Sequence, residues 1–247
     1  ERGSLAVPDR IYGLHVADQH VYLALGLEGL HIVDVSDPAR PTMRATHPTA
    51  GQALAVTTDG TSALVVNLMT GLEVVDISNR ATPVLLETQD TPGYQWGIGS
   101  AGSLVLVVDQ PSGIHLFDVS EPRTPTPLGV HATPSPATSV AVEGARAYVV
   151  YGRTGLVEIL DVTDPSRPRA VGSYQAAGRP QQVAVDESRL AVPLGRSGVI
   201  VVDVSDPSSP TPVASYDTPG SARAVAMRDD LVVVADGNGL VLLRIPR

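Results

Sequence analysis

The chain has 247 residues, 43% hydrophobic and 17% charged, with a net charge of -9 and no cysteine. That apolar content is enough for a packed interior and far from compositions that stay disordered, while the acidic balance excludes the clustered positive charge that nucleic acid or anionic lipid requires. Without cysteine there are no disulfides and no thiolate catalysis or ligation, and no apolar run reaches the roughly 18 residues that span a bilayer.

Taken in chain order, the first element is a short strand at residues 3–7, ahead of any repeat. Gly3-Ser4-Leu5 up to Val16 aligns without a gap on Gly172-Ser173-Tyr174 up to Val185, so residues 3–7 read as the last strand of a repeat whose beginning lies elsewhere. A repeat of about 42 residues then governs the chain. Leu30-His-Ile-Val-Asp-Val-Ser-Asp-Pro38 recurs as Leu72 to Arg80, Ile114 to Pro122, Leu156 to Pro165 and Val199 to Pro207. Its first Asp falls at Asp34, Asp76, Asp118, Asp161 and Asp203, and a Pro follows each by seven residues. A Gly opens each copy at Gly29, Gly71, Gly113, Gly155, Gly198 and Gly239. The sixth Gly marks a sixth copy that ends after its third strand.

Each repeat predicts four strands. In the fourth copy these are Ser139 to Glu143, Ala147 to Tyr151, Leu156 to Val162 and Val171 to Tyr174, with Glu143-Gly144 and Asp164-Pro165 in turns. No stretch sustains a capped helical period. The expected fold is therefore all-β: a single six-bladed β-propeller of four-stranded antiparallel blades, closed by the N-terminal strand completing the last blade. The repeats are placed at 9–48, 49–90, 91–132, 133–175, 176–217 and 218–247 plus 1–8. The start at Glu1, with neither Met nor an apolar leader, predicts that any targeting segment was removed or lies outside the chain.

The motif, with its Gly-Leu lead and Val-Asp-Val-Ser-Asp-Pro body, resembles the LVIVD repeat family of bacterial and archaeal surface or secreted proteins. The resemblance implies a propeller, an extracytoplasmic location and an interaction role. It supplies no catalytic residues.

The repeated carboxylates Asp34, Asp76, Asp118, Asp161 and Asp203, with Asp37, Glu121, Asp164 and Asp206 three residues on, could ligate Ca²⁺ or act as acid and base. Their recurrence in blade after blade points instead to turns, where Asp accepts hydrogen bonds from following amides. Gly97-Ile-Gly-Ser-Ala-Gly102 matches a dinucleotide fingerprint but lies between two predicted strands, with no helix to hold a pyrophosphate. None of the six His has a partner at i+2 or i+4. His15 stands out because Ala55, Gly97, Ala141, Ala184 and Ala226 occupy the matching positions.

Recognition is expected where the repeat varies. The loops leading into the first strands contribute Tyr12, Gln52, Tyr94, Thr138, Gln181 and Arg223, a column that differs between blades as a recognition position is free to do. Gln95 and Trp96 join it, Trp96 being the single tryptophan in a chain with 4% aromatics. A competing reading puts Trp96 in the apolar column of Leu14, Leu54, Val140, Val183 and Val225, packed between blades. The favoured function is a non-enzymatic module binding a protein or other macromolecular partner on one face, with no cofactor, metal, nucleic acid or membrane insertion. The alternatives are a propeller hydrolase or lyase with a channel-mouth site, and a structural subunit of a larger assembly.

Overall fold

Short runs of Val, Leu and Ile, punctuated by Gly, Asp and Pro, form antiparallel strands throughout. The computed structural model describes residues 3–237 and 239–245, and the chain divides into two compact units, Glu1–Leu128 and Gly129–Arg247. The described residues contain no helix long and apolar enough to cross a membrane.

In the first unit, blade one is built from β1 (Gly13–Ala17), β2 (His20–Ala24), β3 (Leu30–Asp34) and β4 (Thr42–His47). Blade two follows with β5 (Gln52–Thr58), β6 (Ser62–Leu68), β7 (Gly71–Asp76) and β8 (Val84–Gln89). Blade three has β9 (Tyr94–Ala101), β10 (Leu104–Gln110), β11 (Gly113–Asp118) and β12 (Thr126–His131). In each, consecutive strands pair in sequence order, as a meander demands. The second strands are buried on both faces, and their apolar side chains join adjacent blades. Tyr22, Ala24 and Ile32 pack with Val56, Ala63 and Val65, and Leu64, Val66 and Val74 with Val105, Val107 and Phe117. At about 25 cal/mol per Å² of apolar surface removed from water, this inter-blade burial is the main stabilising contribution.

The second unit repeats the plan. Blade four comprises β13 (Ser139–Glu143), β14 (Arg146–Tyr151), β15 (Leu156–Asp161) and β16 (Arg169–Gln175), and blade five β17 (Ala184–Asp186), β18 (Arg189–Pro193), β19 (Val199–Asp203) and β20 (Thr211–Tyr216). Blade six has three strands, β21 (Ala224–Arg228), β22 (Leu231–Ala235) and β23 (Leu240–Arg244). The Gly that opens the third strand has a positive φ at Gly29, Gly71, Gly113, Gly155 and Gly198, between 73° and 118°, so a residue with a Cβ would be strained there.

Residues 3–7 carry no strand assignment, but their seat identifies them. Gly3 lies so close to the carbonyls of Pro38 and Ala39 that a Cβ would collide with them. Gly129 in β12 abuts Pro165 and Ser166 in this way, and Gly172 in β16 abuts Pro207. Both are outer-strand glycines meeting the Asp-Pro turn of the blade that follows. Gly3 meets the same turn of blade one, as an outer-strand glycine would. Val7 packs beside Leu23, Leu25 and Val33.

Candidate functional site

The repeated carboxylates are turn residues. Asp34, Asp76, Asp118 and Asp203 each accept the amide of the Ser two positions on, and Asp161 that of Thr163, at 2.8–2.9 Å. The second acid does the same at Asp37, Asp164 and Asp206, and Asn79 at the same position accepts the Ala81 amide at 3.1 Å. The hydroxyls of the same Ser and Thr residues, together with these amides, favour the ionised form and hold the five first-position Asp residues below the usual carboxylate range. Gly97 to Gly102 runs along β9 into its hairpin, so the dinucleotide fingerprint has no helix to serve. Among the described residues no three His, Asp or Glu side chains gather as a metal site would require.

The lead-in loops meet the loops between second and third strands at a glycine. Gly26 exchanges backbone hydrogen bonds with Ala53 at 2.9–3.0 Å, and Gly195 does so with Ala222 at 2.9–3.1 Å. The rings and amides of the variable column converge there: Tyr12 and Gln52 both lie against Gly26, and Thr138 and Gln181 against Gly152. The Arg10 guanidinium stacks 5.2 Å from the centre of the Tyr12 ring. Tyr12, Tyr94, Gln181 and Arg223 are exposed, Gln52 and Thr138 half-buried.

Gln95, Trp96 and Leu14 differ from the sequence expectation, and the first two lie at a bulge. β5 and β9 carry bulges: Ala53 is opposite Asn67 and Ala55 opposite Val66, while Gln95 is opposite Asp109 and Gly97 opposite Val108. Leu54 and Trp96 are the residues passed over. Cross-strand pairing carries the column through Val56 and Ile98, although Leu54 stays buried at 8% and Leu14, in a strand with no bulge, is 60% exposed; Trp96 is 50% exposed where Val140, Val183 and Val225 are 3–5%. A bulge inserts one residue and re-aims its side chain. Gln95 moves the other way. It takes the paired place and is fully buried, so it is not available to a partner.

Gln95 instead closes the base of its own lead-in loop. Its Nε2 donates to Thr91 Oγ1 at 2.6 Å, to the Gly93 carbonyl at 2.8 Å and to Asp109 Oδ2 at 3.0 Å, while its Oε1 accepts the Gly71 amide at 3.1 Å. Asp109 also accepts the Gly93 amide at 3.1 Å. Burial works to raise Asp109, but hydrogen bonds from Thr91, Ser112, Gln95 and Gly93 outweigh it and leave it below the usual range. Ser112 Oγ is 2.8 Å from His115 Nε2. Serine, histidine and aspartate thus meet in blade three, but the hydroxyl lies between the acid and the imidazole, whereas a nucleophilic triad needs the imidazole in the middle.

Blade four solves the same problem differently. Tyr151, which follows Val150 as Asp109 follows Val108, donates to Glu158 Oε2 at 2.7 Å, and His131 Nε2 lies 3.1 Å from that oxygen. Burial acts to raise Glu158, and the His131 and Tyr151 bonds bring it below its ordinary value. None of these buried ends was singled out from the sequence. The available signal was an irregular column of Leu25, Asn67, Asp109, Tyr151, Leu194 and Asp236 closing the second strands, polar residues where apolar ones are expected.

The LVIVD repeat family matches residues 13–49, 50–91, 135–176, 177–218 and 219–245, and the chain belongs to that family. No curated protein matches the sequence. Among solved structures, a protein from Lactobacillus plantarum superposes with a TM-score of 0.82 at 16% identity over 99% of this chain and 83% of that one. A putative 6-phosphogluconolactonase from Bacteroides uniformis gives 0.80 at 16% identity over 99% and 83%, and BamB from Moraxella catarrhalis 0.63 at 14% over 96% and 71%. At such identities the likeness is one of fold. The fold is a six-bladed β-propeller, with five four-stranded blades and one of three strands among the described residues. The family match omits blade three, the blade that holds Trp96 and the Gln95 network.

Proposed function

We propose that this protein is a non-enzymatic binding module that works outside the cytoplasm and holds a protein partner through its variable lead-in loops. The observation that carries this reading is the exposure of Tyr12, Tyr94 and Trp96, at 41%, 49% and 50%, in a chain with little aromatic content. Aromatic side chains on rigid supports are the usual anchors of protein interfaces. Here the support is stiff: the Gln95 network pins the loop beneath Tyr94, and Trp96 is carried on the bulge of β9. Arg223, Gln181 and Thr138 are the corresponding variable residues of the second unit. The extracytoplasmic setting is what the family resemblance implies.

The test is recovery of a partner from the surface and secreted fractions of the source organism. Tyr94→Ala combined with Trp96→Ala is expected to abolish recovery, whereas Val130→Ala with Val213→Ala, on exposed outer-strand positions, leaves it intact. Equal recovery by wild type and the aromatic double variant overturns the proposal.

A further inference from the structure

Blades three and six begin alike, with Thr91-Pro92-Gly93 in one and Thr218-Pro219-Gly220 in the other. Both end the second strand in a buried Asp, Asp109 or Asp236, and both Asp residues accept the amide of that Gly, at 3.1 and 2.9 Å. They differ in the residue opposite the Asp. In blade three it is Gln95, whose amide fills the space between Thr91 and Asp109. In blade six the register of Ala224 opposite Ala235 brings Arg223 to that place, and its side chain is exposed.

The space is consequently open. Thr218, Gly220, Arg223 and Asp236, the counterparts of Thr91, Gly93, Gln95 and Asp109, all line one concavity of about 610 Å³, joined by Arg196 and Asp217. Thr218 is 5% exposed, and its hydroxyl has no hydrogen-bond partner among the described residues. An unpaired buried hydroxyl is costly, and in blade three the equivalent hydroxyl is paired with an N–H donor. Two guanidiniums face the same space, and guanidinium pairs best with a planar carboxylate.

We propose that this concavity binds a small ligand or chain end that carries an N–H donor beside a carboxylate, the chemistry shared by a free α-amino acid and a peptide C-terminus. The N–H donates to Thr218 Oγ1 as Gln95 Nε2 does to Thr91, and the carboxylate is received by Arg196 and Arg223. Asp217 stands where it can meet the ammonium of a free amino acid. The concavity shares Arg223 with the variable lead-in column but none of its exposed aromatics, so the Tyr94 and Trp96 variants leave it untouched.

Four probes separate the elements of this recognition by calorimetry or NMR titration of the full chain: L-alanine, N-acetyl-L-alanine, L-alaninamide and propionate. L-alanine or N-acetyl-L-alanine is expected to saturate one site with a Kd of about 1 mM, and the other two, each lacking one of the paired groups, at least about tenfold more weakly. Preference between the first two distinguishes a free amino acid from a chain end. Thr218→Val, close in shape, is expected to weaken binding about tenfold without lowering the melting temperature. Arg223→Gln is expected to abolish binding and raise the melting temperature, because the new amide refills the space as Gln95 does. Equal binding of all four probes, no saturation by any, or full affinity in both variants overturns the proposal.

Discussion

Blade three and blade six show how one repeat can be finished in two ways. Both carry the Thr-Pro-Gly loop and the buried Asp, but blade three adds Gln95 and fills the loop from within, whereas blade six, among the described residues, leaves the Thr218 hydroxyl unpaired and has three strands. Blade three is also the one outside the family match. Among the described residues each of the two blades keeps one buried oxygen without a partner, Asp109 Oδ1 in blade three and Thr218 Oγ1 in blade six, so the difference lies in what fills the loop. In a repeat protein, distance from consensus need not mean local weakness; what decides is whether the substituted groups find partners.

The sharpest way to break that comparison is to remove what completes blade six. Deletion of residues 1–8 is expected to lower the melting temperature by on the order of 10 °C, with hydrogen exchange accelerating first in β23 and leaving β10 protected. An unchanged melting curve would contradict the seat assigned to Gly3. Next in size, Asp109→Ala strands the Gly93 amide and the Gln95 amide in a buried place, and a loss of about 3 kcal/mol by denaturant titration is expected. A loss below about 1 kcal/mol would mean that the network is not what holds the loop.

Acid unfolding sharpens the same contrast. Asp109 is ionised in the fold with its pKa below the ordinary carboxylate value, so its stabilisation is present above the unfolded pKa and is lost as pH falls through the folded one. Stability should begin to soften as pH falls below about 6.5, where burial keeps His15 and His115 below the ordinary imidazole value, and decline further below about 4, the second decline being shallower in Asp109→Ala. The smallest effect is expected at Trp96, where replacement by Ala should change stability by less than about 0.5 kcal/mol, since the ring is half exposed. A large loss there would restore the reading of Trp96 as a packing residue.

Much of this architecture was legible in the residues. The spacing from Asp34 to Asp203 marks the turns because each Asp must accept the amide two positions on, and the αL glycines recur because the third strand begins at a tight approach. The variable column was legible to within one residue. Steps of 40 and 42 residues lead from Tyr12 to Gln52 and Tyr94, whereas cross-strand pairing puts Ala53 and Gln95 there. The bulge takes its extra residue from the lead-in side, so it shifts the loop residues by one and leaves the paired positions in period, which is why Gln95 is inward where Tyr94 is exposed. The Thr218 concavity was out of reach for a related reason, since it depends on which residue is opposite Asp236, a fact of register and not of composition.

The turn acids have one more consequence. Asp34, Asp76, Asp118, Asp161 and Asp203, together with Asp164 and Asp206, supply a large share of the excess negative charge, and all are committed to holding chain reversals. Because their bonds keep them ionised below the ordinary carboxylate range, the charge balance of the molecule should reach zero while the turns are still intact. Precipitation near the isoelectric point would then be a colloidal event among folded molecules, and raising the pH should return them to solution without refolding.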